Sequence, residues 1–187
     1  AIGANATMFG IVDRLLLRPP AHVQEPERLA RVFFIEAEEG VPERTSDRSS
    51  FPLFAMLRDS VSAFEDMAAV FTSDQIYGSG VDARTVRGAM TTGNLFNMLG
   101  VRPAVGRFFG ADEDRPAEGS PVAVLGHSFW RSEFGGQRDV LGQEIRLGRT
   151  TYTIVGVAPP GFTGVNLERV DVWLPVSVAA REVIDEN

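Results

Sequence analysis

The chain has 187 residues, of which 44% are apolar, and it carries 25 acidic against 18 basic residues for a net charge of −7. This length and apolar fraction predict one globular domain, or two lobes, with a real hydrophobic core. The acidic balance argues against nucleic acid as a partner, because phosphate binding needs a positive face. Every basic residue is Arg and no Cys is present, which excludes lysine-based sites, thiolate metal sites and cysteine nucleophiles.

The first 20 residues form an apolar beginning with helical spacing. Ala1 to Val12 are uncharged, and apolar residues recur at positions 8, 9, 11, 12, 15 and 16. An uncharged run of this length is too short to cross a bilayer, which takes about 20 residues, and no basic region precedes it as in a signal peptide. Two interpretations stay open: an amphipathic helix on the core, or the outer end of a transmembrane helix.

A strand and a helix are predicted next. Leu29 to Ile35 has the composition of a strand that is buried on at least one face. The charged stretch from Glu36 to Ser50 is expected to be a surface loop. Ser50 is a suitable cap for a helix with Pro52 in its first turn.

A hairpin follows that helix. Phe64 and Met67 are expected to face inward, in a second short turn that begins with a capping box at Ser62. Ala68 to Tyr77 and Ala83 to Thr91 are then predicted as two strands joined by the glycine-rich turn between them.

The stretch from Arg84 to Phe109 predicts a strand, a turn, a short helix and a second turn. Thr92 or Asn94 can cap the helix, and Leu95 to Leu99 supply one apolar turn. Gly100 stands where the helix is expected to end with a residue in the left-handed backbone conformation. A unit with apolar groups on both its strand and its helix belongs inside a layered domain.

The remainder of the chain predicts more strands and one helix. Pro121 to Leu125 is a short apolar strand, and the three consecutive acids at 112–114 are expected to form a solvated turn instead of a calcium site. Strands are also expected at Gln143 to Leu147, at Thr151 to Val157 and at Asp171 to Pro175, where Trp173 is a core residue. Mixed hairpins and strand–helix steps indicate an α+β fold with a mixed sheet.

One arrangement is compatible with an enzyme. A strand, Gly126-His127-Ser128 and a helix resemble the nucleophile elbow of α/β-hydrolases. That motif needs Gly two residues after the Ser, where this chain has Trp130, and a neighbouring His cannot easily reach the Ser hydroxyl as a base. We therefore expect Ser128 to cap a helix, and we predict no catalytic, cofactor-binding or metal-binding residues.

The run Asn94-Leu-Phe-Asn-Met-Leu-Gly-Val-Arg-Pro-Ala-Val-Gly-Arg-Phe-Phe resembles the MacB-like periplasmic core domain, the extracytoplasmic part of ABC transporter permeases related to MacB and FtsX. Four further runs resemble this family in the same order: Gly3 to Pro19, Val122 to Gly136, Tyr152 to Phe162 and Asp171 to Pro175. The resemblance spans roughly Gly3 to Pro175.

The resemblance implies a domain organisation. Residues 1–20 would be the end of the first transmembrane helix or its stalk. Residues 21–187 would be the periplasmic core domain, with two lobes and with its C-terminal part truncated. The domain would lie on the periplasmic side of a bacterial cytoplasmic membrane.

The resemblance also implies a function. The domain would have no enzymatic activity and no cofactor, and it would relay the ATP-driven motion of the transmembrane helices to a substrate or to a periplasmic adaptor. The cytoplasmic ABC ATPase would be a partner through the rest of the permease, and the permease would be a dimer. The alternatives are a soluble α/β binding module and a serine hydrolase that uses Ser128.

Overall fold

The computed structural model describes residues 22–36, 44–116, 118–166 and 168–179. The expected end of a transmembrane helix at residues 1–20 lies outside these ranges. Within them, no helix is both long enough and apolar enough to cross a bilayer.

Strands account for most of the regular structure in the described ranges. The strands are β1 (Phe34–Glu36), β2 (Arg44–Ser46), β3 (Val70–Tyr77), β4 (Arg84–Thr91), β5 (Val105–Gly106), β6 (Val122–Leu125), β7 (Glu144–Leu147), β8 (Thr150–Val157) and β9 (Val172–Pro175). The α-helices are α1 (Phe51–Ser60), α2 (Leu95–Met98) and α3 (His127–Glu133). A further helical segment is described at 176–179.

Seven of these strands form one sheet in the order β5-β8-β6-β9-β4-β3-β7. The β4–β9 and β6–β8 pairs are parallel, and the other pairs are antiparallel. Strand β7 pairs with β8 as well as with β3, so the sheet curls until its two sides meet. The predicted α+β fold with a mixed sheet is confirmed, whereas the division into two lobes stays a prediction.

The two faces of the sheet carry separate hydrophobic clusters because side chains alternate along each strand. In β6, Ala123 and Leu125 belong to the cluster that contains helix α3, and Val122 and Val124 belong to the cluster that contains helix α2. Trp173 of β9 is 1% exposed in the α2-side cluster, as predicted. Helices therefore cover both faces of one central sheet.

The predicted strand from Leu29 to Ile35 is shorter than expected, and its residues are at most half-buried. Only Phe34–Glu36 is a strand, and it pairs with Arg44–Ser46 from the stretch that was predicted to be a surface loop. Ile35 is 66% exposed. The reason is that β1 and β2 form a separate two-stranded sheet, so this segment is not a strand of the layered core.

Helix α1 begins as predicted, but Phe64 does not pack inward as expected, whereas Met67 is half-buried. The Ser50 hydroxyl accepts a hydrogen bond from the amide of Leu53 at 3.4 Å, and Phe54 is the buried residue of the helix. Phe64 is 42% exposed, so its predicted inward position is wrong. Residues 62–65 form turns and bends instead of a second helical turn, and the helical spacing used for Phe64 does not apply.

The central unit matches its prediction closely. Strand β3 pairs with β4 along their full lengths as an antiparallel hairpin. Helix α2 follows β4 after three residues, and Gly100 has the expected left-handed backbone with φ of 65°. Asn94 stands at the helix cap, but its side chain makes no capping bond and instead donates to the carboxylate of Asp66 at 2.8 Å.

Candidate functional site

The Gly126-His127-Ser128 motif was the candidate for catalysis. In the structure each of its three residues has a different structural position. Helix α3 is capped by Gly126, without a side-chain bond, so the predicted capping by Ser128 is wrong. Gly126 is needed for a different reason: a Cβ there would lie 2.1 Å from the carbonyl oxygen of Val170. Ser128 is an exposed residue of the first helical turn.

Neither histidine is placed as a base for Ser128. The His127 ring packs edge-on against Trp130 with centroids 5.4 Å apart. His22 donates a hydrogen bond from Nε2 to the carbonyl of Pro160 at 2.7 Å. In the part of the chain that the structure describes, no hydrogen bond joins either imidazole to Ser128, so the geometry of a nucleophile and its base is not assembled there.

The acidic turn at 112–114 is more ordered than the predicted solvated turn. Glu113 accepts from both terminal nitrogens of the Arg107 guanidinium, each at 2.7 Å, and from the amide of Gly110 at 3.2 Å. The hydrogen bonds from Arg107 hold the pKa of the Glu113 carboxyl below its ordinary value, although partial burial opposes them. Among the described residues, no group of three or more acids and histidines is arranged to hold a metal ion.

Asp114 joins two distant parts of the chain. Its Oδ2 accepts a hydrogen bond from the amide of Gly93 at 3.1 Å, and its Oδ1 accepts one from the amide of Ser177 at 2.8 Å. Gly93 begins the turn into α2, and Ser177 lies in the helical segment at 176–179. The sequence contained the capping preference of Asp, but not the identity of a target 63 residues away.

Gln24 makes the corresponding connection at the other end of α2. Its amide donates to the carbonyl of Leu99 at 2.9 Å, and its side-chain Nε2 donates to the carbonyl of Gly100 at 2.8 Å. A Cβ on Gly100 would approach Gln24 side-chain atoms to 2.6–2.8 Å, so the two residues are in close contact. The sequence analysis did not identify this role.

Arg87 of β4 ties the loop before β9 to the sheet. Its guanidinium donates to Glu168 at 2.6 Å and to Asp74 at 3.1 Å, and these bonds raise the pKa of Arg87. The backbone of Arg87 is also bonded to Asp171, whose Oδ2 accepts from the Arg87 amide at 2.9 Å. These contacts fix the segment that leads into β9 against the centre of the sheet.

An open groove of 1250 Å³ lies beside helix α1. Its apolar lining includes Phe54, Leu57, Met67, Leu95 and Met98. Arg28 stands on its rim and pairs with Glu25 at 2.8 Å and Glu65 at 2.6 Å. The groove thus combines an apolar floor with a rim of paired charges.

The described ranges thus form a curled mixed sheet with a helix on each face. The chain matches the model of the MacB-like periplasmic core domain over residues 1–186. It belongs to this family, whose members are periplasmic domains of MacB-like ABC transporter permeases.

Individual relatives support this assignment. The chain is 28% identical over 116 residues to the macrolide export ATP-binding/permease protein MacB of Chlorobium phaeobacteroides, covering 62% of the chain and 15% of that relative. It is 43% identical over 56 residues to the MacB protein of Nitrosomonas europaea, covering 30% of the chain and 8% of that relative. The chain therefore spans a small part of these ATP-binding permeases.

Two solved structures share the fold. The periplasmic region of MacB from Actinobacillus actinomycetemcomitans superposes with a TM-score of 0.54 at 17% identity, covering 67% of this chain and 55% of that one. The extracellular domain of the noncanonic ABC-type transporter YknZ from Gram-positive bacteria also gives 0.54, at 12% identity, covering 67% and 62%. At these identities the likeness concerns the fold alone.

Proposed function

We propose that this domain relays the ATP-driven motion of a permease's transmembrane helices to a substrate or to a periplasmic adaptor protein, without enzymatic activity of its own. The permease acts with a cytoplasmic ABC ATPase and assembles as a dimer, and residues 1–20 form the end of its first transmembrane helix. The domain lies on the periplasmic side of the cytoplasmic membrane.

The observation that carries the proposal is the curled sheet. Because β7 pairs with both β3 and β8, a displacement of one strand is resisted by neighbours on both sides. Hydrophobic clusters on the two faces add packed contacts, and close-packed interiors transmit displacement instead of absorbing it. Such a block is suited to rigid-body movement.

A second support is the path of the chain. The segments at 22–24 and 176–179 are both linked to the central strand–helix unit. Gln24 donates to the carbonyl of Gly100, and the amide of Ser177 donates to Asp114, which also accepts from the amide of Gly93. Movement applied at either segment therefore reaches the same sheet.

The test uses the complete permease reconstituted with its ATPase in lipid vesicles. A donor fluorophore is attached at Arg149→Cys, an exposed residue in the β7–β8 turn, and the acceptor is carried by lipid headgroups. We expect ATP to change the energy transfer, because the domain moves relative to the bilayer. The same complex with a catalytically inactive ATPase is the control for hydrolysis. Energy transfer that is identical with and without ATP contradicts the proposal.

A further inference from the structure

The short helix α2 is held at both of its ends by residues from distant parts of the chain. At its end, Gln24 binds the carbonyls of Leu99 and Gly100. At its beginning, Asp114 binds the amide of Gly93. Helix α2 thus lies between two contacts that come from elements far away in sequence, at separations of 76 and 21 residues for the two side-chain bonds.

Each of these contacts involves a further segment of the chain. Gln24 lies in the segment at 22–24, shortly after residues 1–20, which the proposed function assigns to the end of a transmembrane helix. Asp114 also accepts from the amide of Ser177 at 2.8 Å, in the helical segment at 176–179. Because an ionised carboxylate makes stronger hydrogen bonds than a neutral acceptor, Asp114 is suited to hold two amides in a fixed relation.

Helix α2, which lies between the two contacts, is packed firmly against the sheet. Leu95 and Phe96 of α2 are 2% and 1% exposed in the α2-side cluster. Strand β4, which leads into α2, pairs with β3 on one side and with β9 on the other. Gly93 is also confined, since a Cβ there would lie 2.3 Å from the carbonyl oxygen of Gly110.

We propose that Asp114 and Gln24 are positioning residues that couple the segments at 22–24 and 176–179 to the central sheet. This inference rests on the proposed relay function and names the residues through which the relay acts. When the segment at 22–24 or the segment at 176–179 is displaced, the displacement is delivered to α2 through these hydrogen bonds and then to β4.

The experiment extends the energy-transfer assay in the complete permease with its ATPase, with the donor at Arg149→Cys. Asp114→Ala removes both bonds to backbone amides, and Gln24→Ala removes the bond to Gly100. We expect each variant to reduce the ATP-dependent change in energy transfer to less than half of its size in the parent protein. The nucleotide-free energy transfer should stay the same, because the domain remains folded and in place.

Asp112→Ala is the matched control. Asp112 lies in the same turn, is exposed, and pairs with Arg115, so its removal should leave the full ATP-dependent change. If Asp114→Ala does not assemble, Asp114→Asn keeps the shape but leaves one acceptor oxygen for two amides, and an intermediate reduction is expected.

The outcomes separate the two proposals. If the parent protein shows no ATP-dependent change, the relay function itself is wrong. If the parent shows the change and the Asp114 and Gln24 variants show it at full size, the coupling role is wrong while the relay function stands. An equal reduction in Asp112→Ala also overturns the coupling role, because a general disturbance of the turn would then explain the result.

Discussion

Tyr77 of β3 lies opposite Leu147 of β7, and this register pair joins the two sides of the curled sheet. Two backbone hydrogen bonds flank the pair: the amide of Gly78 donates to Arg146 at 3.0 Å, and the amide of Gly148 donates to Ile76 at 2.7 Å. Since Leu147 is fully buried, the junction is closed by packing as well as by backbone bonding.

Leu147→Ala should therefore weaken the junction strongly. A buried leucine truncated to alanine leaves a cavity, and we expect the free energy of unfolding to fall by about 2–5 kcal/mol. Denaturant unfolding followed by tryptophan fluorescence measures the change. Leu141→Ala is the control, because Leu141 is 39% exposed and its truncation should cost clearly less. Equal costs for the two variants would contradict the closed junction.

The contact between Gly164 and Trp173 gives a second prediction. A Cβ on Gly164 would lie 2.7 Å from the buried indole, whereas a Cβ on Gly161 would meet nothing within 4 Å. Both glycines have positive φ, of 71° and 80°, so alanine costs backbone strain at either position.

We expect Gly164→Ala to be the more destabilising of the two, by about 1–3 kcal/mol beyond Gly161→Ala, because overpacking is added to the strain. Thermal unfolding of both variants measures the difference. Equal melting temperatures would show that the indole does not pack against Gly164.

Acidic pH should remove the contribution of the Arg107–Glu113 pair to the free energy of unfolding. The pKa of Glu113 is lowered in the folded state, chiefly by the hydrogen bonds from Arg107. A carboxyl with a lowered folded pKa stabilises the protein above its unfolded pKa, and this contribution is lost as the pH falls through the folded pKa.

Glu113→Gln should therefore be less stable than the parent protein at neutral pH, and the difference should shrink below about pH 4, the ordinary range of a carboxyl. Unfolding free energies measured from pH 7 to pH 3 check this. Glu118→Gln, at an exposed position, should give a curve parallel to that of the parent. A difference for Glu113→Gln that does not change with pH would contradict the assigned ion pair.

Ser128 should not react as a nucleophile. Its hydroxyl is exposed and is not bonded to His127 among the described residues, so Ser128→Ala should change the free energy of unfolding by no more than about 0.5 kcal/mol. A fluorophosphonate probe should leave Ser128 unlabelled in the folded protein. Stoichiometric labelling that is lost in Ser128→Ala would revive the hydrolase hypothesis.

The parts of the fold that were predicted correctly are those with local causes. The β3–β4 hairpin follows from two strand-forming runs around a glycine-rich turn, and the stop at Gly100 follows from a local backbone requirement. The burial of Trp173 follows from its place in a short apolar strand. The family runs are likewise local, which is why the resemblance could be stated from the sequence.

The features that were predicted wrongly or missed depend on contacts with residues that are distant in sequence. Ile35 has the composition of a buried strand, but burial depends on which layer covers it, and β1 pairs away from the main sheet. The roles of Asp114 and Gln24 depend on amides and carbonyls of residues far along the chain. No spacing rule in the sequence specifies such bonds.

The central claim is that the sheet moves as one stiff block. Spin labels at Arg102→Cys and Arg149→Cys, both exposed and in a chain without native Cys, report the distance across the domain in the reconstituted permease. The account predicts that ATP leaves this distance unchanged, while energy transfer from Arg149→Cys to the lipid changes. An ATP-dependent shift in the distance between the two labels would contradict it.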